Sequence, residues 1–225
     1  IKFTMGQVVG KINVEQAKFE VVKSTDVFEI RHYQEAVAVE TKFRCTKEDC
    51  VRGNGNSEAF KRLAKYIGVF GDPQNQVGDS NEKVAMTAPV ISSTNNTSKK
   101  IAMTAPVVNN LTNEKEGTMA FILPHNYTME SAPIPNNPDV YLRPVAAQYI
   151  AAIRFSGNCD EEMAQSKASE LLHALESEGI KVSKEALEKI ENKNQYWELA
   201  RYNPPWTLPF QRTNDILIPV SYSKQ

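Results

Sequence analysis

The residues of this chain with chemistry to offer are few and scattered. There are three histidines (His32, His125, His173) and three cysteines (Cys45, Cys50, Cys159). Two of its methionines, Met86 and Met103, occupy equivalent places in a repeated segment. An imidazole can ligate a metal or carry a proton near neutral pH. A thioether is a soft ligand or an adaptable packing group. His32 ends an alternating run beside a turn, where a side chain reaches outward, so it is the leading ligand candidate; the competing reading is a solvent-facing polar residue. His125 lies in the turn Pro124-His125-Asn126, and His173 lies on the polar side of a helical stripe, where a solvated role is favoured. Met86 and Met103 are read first as strand packing and second as sulfur ligands. Cys45 and Cys50 have four residues between them and no second pair, which is not a zinc pattern. An odd, sparse set of cysteines reads as free thiols.

Catalytic signatures are missing. The sequence holds no Gly-x-Ser-x-Gly elbow, no His-Glu-x-x-His, no phosphate-binding glycine loop and no dinucleotide fingerprint. Carboxylates are plentiful, but no spacing singles out a pair. Any reaction would have to draw on a bound cofactor.

The elements that must position these residues follow from periodicity. Phe28 to Tyr33 alternates and reads as a strand, and Ala36 to Thr41 alternates again, so the two are expected to pair as a hairpin. Ser57 reads as the N-cap of a helix running to about Ile67, with Phe60, Leu63, Ala64 and Ile67 on one face. Lys61, Arg62 and Lys65 flank that face. Val84-Ala85-Met86-Thr87-Ala88-Pro89-Val90 recurs almost unchanged as Ile101-Ala102-Met103-Thr104-Ala105-Pro106-Val107, each copy reading as a short strand ended by proline. The polar stretch Ser92 to Lys100 reads as an exposed linker between them, and Thr118 to Leu123 as a strand. Pro133 to Pro138 forms a proline-rich seam. Beyond it, Val140 to Arg143 and Tyr149 to Phe155 repeat the first strand pair. Asn158 to Glu178 reads as a helix with Asn158 as cap and a stripe of Met163, Ala164, Ala168, Leu171, Leu172 and Leu175. A short charged helix over Ser183 to Asn192 and strands at Tyr196 to Tyr202 and Ile216 to Val220 complete the chain. Strands and a helix, twice over, predict an α+β fold with mainly antiparallel strands. Arg31 and Arg143 occupy matching places in the two halves and are expected to pair with Glu29 or Glu40.

Composition narrows the function classes. The 225 residues carry a formal net charge of −1, and no basic tract is present, which argues against a nucleic-acid partner. No apolar run reaches the roughly 20 residues that span a bilayer. Met5-Gly6 lacks the downstream Ser or Thr of a myristoylation site. The sequons at Asn95, Asn96, Asn110 and Asn126 mark polar loops. With no secretory signal legible, a soluble cytoplasmic protein is expected.

Four segments, taken in order, resemble the SOUL heme-binding family. They are Phe28-Glu29-Ile30-Arg31-His32-Tyr33, the paired Met-Thr-Ala-Pro-Val segments, Leu63 to Gly71, and the tail from Leu199 through Trp206 to Asn214. The last two are similar to the plant and algal cytosolic branch. The resemblance spans about residues 19–220, expected as one domain with half-repeats at about 19–130 and 139–220 and an N-terminal extension over 1–18; residues 1–4 are left out of the fold reading. It implies a distorted antiparallel β-barrel flanked by helices and built from two βαββ-like halves, similar to the ligand-sensing domains of bacterial multidrug-response regulators. It also implies non-covalent binding of heme or another porphyrin in a shallow apolar groove. On that reading Phe60 and Leu63 wall the groove, Lys61, Arg62 and Lys65 clamp propionates, Met86 and Met103 pack against the macrocycle, and His32 is the candidate axial ligand to iron. Burying on the order of 200 Å² of macrocycle at about 25 cal/mol per Å² gives roughly 5 kcal/mol before costs. Propionate contacts add about 1–3 kcal/mol, so binding does not require an iron ligand. The expectation is a protein that sequesters or carries a tetrapyrrole. The alternatives are an enzyme acting on a tetrapyrrole or other apolar molecule in the same groove, and an interaction module docking through the Leu171-Leu172-Leu175 stripe.

Overall fold

The computed structural model describes residues 12, 14–46, 57–95, 114–192, 194–203 and 207–223. The first part of the chain forms β1 (Glu15–Gln16), β2 (Phe19–Ser24), β3 (Glu29–Tyr33), β4 (Ala36–Thr46), α1 (Ser57–Tyr66), β5 (Asn75–Gln76), β6 (Thr87–Ala88), β7 (Val90–Asn95) and β8 (Glu114–Ile122). The second part forms β9 (Ile134–Pro135), β10 (Val140–Val145), β11 (Gln148–Ser156), α2 (Glu161–Ser177), β12 (Lys181–Val182), α3 (Lys184–Glu191), β13 (Glu198–Arg201) and β14 (Thr213–Ser221). Ten strands make one curled antiparallel sheet in the order β10-β4-β8-β7-β13-β14-β11-β3-β2, with β12 on β14. The sheet bends into a half-barrel with helices on its convex face.

The expected hairpins do not form. β3 pairs with β11 and β2, whereas β4 pairs with β8 and β10. The two-residue links Gln34-Glu35 and Ala146-Ala147 lack the Asn-Gly or Asp-Gly chemistry that a tight hairpin demands. The chain turns a corner at each and joins the other half. Each half thus donates one strand of the expected pair, β3 or β10, to its counterpart. The two halves are related across the central pair β7-β13, where Ala200 lies opposite Ile91.

Alternation assigns the faces. In β4, Val37, Val39 and Phe43 point outward under α1, packing with Leu63, Ile67 and Phe121. In β11 and β14, Ala151, Ile153, Ile216 and Ile218 point outward under α2, against Ala164, Ala168, Leu171 and Leu175. Each of the two fully buried leucines contributes about 1.5–3 kcal/mol, and the stripe is spent within the molecule rather than left for a partner. The cap of helix α2 lies two residues after the expected one: the Asp160 carboxylate, not Asn158, accepts the Met163 N–H at 2.8 Å. Its other end closes at Gly179, whose φ of 67° lies in the left-handed region.

The stretch expected as a linker is in part a central strand. Val90 to Asn95 sits between β8 and β13, and Ser92 is buried. As expected for the first copy, Pro89 ends a short strand, β6, which runs parallel to β1, and separates it from β7. The second copy of the repeated segment, residues 101–107, lies outside the described residues.

The concave face carries buried charge. Arg31 reaches Glu29 and Asp215, and Asp215 also accepts two hydrogen bonds from Arg154 and one from Tyr202. Across the half-barrel Arg143 and Tyr141 both donate to Glu40, at 2.9 and 2.6 Å. Both arginines therefore pair as expected, Arg31 with Glu29 and Arg143 with Glu40. Among the described residues no helix is long and apolar enough to cross a membrane.

Candidate functional site

Among the described residues, α1 and α2 cover the two sides of the convex face and leave its middle open. Helix α1 shields β4 and β8, and α2 shields β11 and β14. The central strands β7 and β13 are left as the floor of a groove of about 810 Å³, within the roughly 300–1,000 Å³ of small-molecule clefts. Alternation puts Val90 and Ser92 of β7 and Leu199 and Arg201 of β13 on that floor. The α1 side supplies Phe60 and Lys61, with Phe43 beneath them. The α2 side supplies Ala164, Cys159 and Trp197.

Aromatic rings make the walls. Phe60 stands edge-on to Phe121, with ring centroids 5.5 Å apart. The Trp197 indole N–H donates to Gln165 on α2 at 3.2 Å, which fixes the plane of the ring. Phe70 stands at the rim and is 49% exposed.

Arg201 dominates the electrostatics of the floor. Its guanidinium donates to the Ser92 hydroxyl and the Cys159 carbonyl, both at 3.3 Å. No carboxylate among the described residues is in ion-pair contact with it. Burial pulls its pKa below the usual arginine value, and Arg212 nearby acts in the same direction. It remains a cation; Asp160 and Glu161 line the same groove, but neither is in ion-pair contact with it. Arg212 lines the same end, donating to the Thr207 carbonyl and to Asn158. Burial pushes the Cys159 thiol up to about 11, so it is neutral at physiological pH.

The structure sorts the residues expected from sequence. Phe60 and Lys61 line the groove. Lys61 also pairs with Glu58 in an exposed contact of 2.7 Å. Arg62 turns away, donating to Thr41 and the Lys42 carbonyl. Leu63 is fully buried beneath α1, and Lys65 is exposed outside the groove lining. Met86 packs against the core under α1, and Met103 lies outside the described residues. His32 stands on β3 with its ring stacked on Tyr149 at 4.6 Å, away from the groove. His125 pairs with Glu15 at 2.7 Å, and His173 is exposed on α2. Sequence reasoning missed Trp197, Arg201 and Arg212, although alternation in Trp197-Glu198-Leu199-Ala200-Arg201 sets the first, third and fifth residues on one face. Among the described residues no cluster of three or more His, Cys, Asp or Glu could hold a metal ion.

Comparison with known proteins places this geometry. A family model described as SOUL heme-binding protein matches residues 14–96 and again 91–219. No match was found among curated proteins. The C-terminal domain of EcmrR aligns at a TM-score of 0.50 and 12% identity, covering 87% of this chain and 98% of that one. An uncharacterized conserved protein from Listeria innocua aligns at 0.52 and 12%, covering 87% and 92%. At such identities the two likenesses establish the shared fold.

Proposed function

Since the chain belongs to the SOUL heme-binding protein family, we propose that it binds a tetrapyrrole in the groove between α1 and α2. The macrocycle lies between Phe60 and Trp197 on the floor of β7 and β13, and a propionate meets Arg201. One observation carries this reading: Arg201 is a partly buried cation with no carboxylate partner among the described residues, opening on an aromatic-walled groove of sufficient size. An anionic apolar ligand supplies both what the walls and what the guanidinium lack. No imidazole lines the groove, so binding rests on the macrocycle and its carboxylates rather than on iron. The protein acts as a carrier or a store.

The test is a spectroscopic titration with heme, metal-free protoporphyrin and protoporphyrin dimethyl ester. Heme and protoporphyrin should bind with similar affinity. The ester, and the Arg201→Met variant with free protoporphyrin, should each bind about tenfold more weakly, for a loss of about 1–3 kcal/mol. Equal binding of acid and ester would overturn the placement of the propionate. Failure of all three to bind would overturn the reading itself.

A further inference from the structure

The fold has one place for a segment that the sequence supplies twice. Lys83-Val84-Ala85-Met86-Thr87-Ala88-Pro89-Val90-Ile91 and Lys100-Ile101-Ala102-Met103-Thr104-Ala105-Pro106-Val107-Val108 agree at seven of nine positions. The two differences trade a methylene in opposite directions, Val84 for Ile101 and Ile91 for Val108. The first copy is held by contacts that its twin has the chemistry to make. Val84 is buried beneath α1, with Met86 and Val90 packed on the same cluster. The Thr87 hydroxyl donates to the Ile122 carbonyl. Ala88 is buried on the concave face with Ile150, Ala152 and Leu217, and Ile91 packs against Ala120 and Ile122. The Val84 N–H donates to the Ile67 carbonyl and the Ala17 N–H to the Ala88 carbonyl, each at 3.2 Å, and no side chain decides either bond.

The chain lengths also permit an exchange. The copies are 17 residues apart, and Asn95 pairs with Glu116 at the end of the β7–β8 ladder. A step of 17 sets Thr112 opposite Glu116 and leaves Asn113-Glu114-Lys115 as the turn, a three-residue connection of the kind that antiparallel strands use. The outermost β4–β8 pairs, Glu114 with Thr46 and Lys115 with Cys45, are given up. The loop entering β6 gains the residues that the hairpin loses, so the two closure costs move in opposite directions. One contact favours the first copy. The Tyr127 hydroxyl donates to the Glu82 carboxylate at 2.5 Å, and the residue 17 positions on is Lys99, which cannot accept.

We infer that the strand slot between β8 and β13 has two occupants within one chain, residues 84–95 as in this structure and residues 101–112 in a register shifted by 17, and that the protein interconverts between them. Register is fixed by the side chains that face the core, and two near-identical patterns leave two packings close in energy. Because β7 is a central strand, the exchange must break its ladders with both β8 and β13, so it is slow. Val90 and Ser92 leave the groove floor with the first copy, and Arg201 loses the Ser92 hydroxyl. The two registers are therefore two states of the groove, whatever ligand the groove takes.

The experiment is amide exchange spectroscopy on the full chain and on two deletions that each keep one copy, lacking residues 84–100 or residues 96–112. Both deletions should fold with the same sheet. Met119 and Leu199 lie opposite Ser92 in the first register and opposite Asn109 in the second; Ala120 and Ala200 lie opposite Ile91 or Val108. These four amides should differ between the deletions, and the full chain should show both sets in slow exchange. Phe121 and Arg201 lie opposite a valine in either register and should split least. Exchanging the lead-in charges in the full chain, Glu82→Lys with Lys99→Glu, should enrich the second set about tenfold, as moving a charged hydrogen bond predicts. Folding of the chain that lacks 96–112 but not of the chain that lacks 84–100 would overturn the inference. So would a full chain and a charge-exchanged chain that both show only the set of the 96–112 deletion. Should neither deletion fold, the response of the four amides to the charge exchange decides: a second set that grows upholds the inference, and an unchanged single set overturns it.

Discussion

Arg31 and Asp215, 184 positions apart in sequence, meet at 2.6 Å on the concave face with side chains 1% and 0% exposed. Arg154 and Tyr202 complete the coordination of the carboxylate. Removing one charge from a buried, hydrogen-bonded pair costs about 3–5 kcal/mol, because its partner is left uncompensated. Asp215→Asn should lower stability by that amount in a denaturant titration. A loss below about 1 kcal/mol would mean that the two arginines find other partners.

The same carboxylate sets an acid limit. Burial alone would raise the Asp215 pKa, but the hydrogen bonds from Arg154 and Arg31 and the Arg31 charge outweigh it, so the folded value lies below the ordinary one. A group depressed in this way contributes stability above its unfolded pKa, about 3.9, and loses it as pH falls through the folded value. Melting temperature should therefore decline below about pH 4. Asp215→Asn, less stable throughout, should show a shallower decline over that range, and parallel curves would exclude Asp215 as its source.

Phe70 tests the groove without touching the core. It is half-exposed at the rim, so Phe70→Ala should leave the melting temperature unchanged. Porphyrin affinity should fall by about 0.5–1.5 kcal/mol, the worth of one aromatic contact. Unchanged affinity would move the macrocycle away from the α1 end.

His32 should prove silent. Its ring is stacked on Tyr149 outside the groove, so the absorption band of bound heme should keep its position in His32→Ala. A shifted band would place iron beside β3 and restore His32 as its ligand.

Gly117 is opposite Phe43, whose ring crosses it, and an added Cβ would also approach the Ser93 carbonyl to 2.6 Å. Gly117→Ala should cost about 1–3 kcal/mol by overpacking. It should also weaken porphyrin binding, because Phe43 lines the groove and must move. Destabilisation with unaltered affinity would show that the ring adjusts elsewhere.

Much of the architecture was legible because burial is periodic. Phe60, Leu63, Ala64 and Ile67 announced α1, and Ala164, Ala168, Leu171 and Leu175 announced α2, each by a stripe that had to be covered. Strand β7 was misread for a physical reason: its outer face is the bare groove floor, so Ser92 had no apolar cover to advertise. The hairpins were misread because sequence gives a strand's faces but not its neighbours. The candidate site was half legible. Phe60 and Lys61 sit on a helix whose faces could be counted, whereas Arg201 gains its meaning from having no ion-pair contact among the described residues, which is a property of three dimensions.

The exchange of β3 and β10 also sets a schedule. Ile30 must wait for Ala151, and Leu142 is needed beside Val39. At about 5–20 residues per second, a growing chain that has finished β8 spends on the order of 10 s with β3, β4 and β7 presenting bare edges. Bare edges recruit other chains, and long-range strand pairing is slow to rescue them. The hazardous moment in the life of this protein is thus its own synthesis, and a message truncated near Pro133 should yield aggregate rather than half a protein.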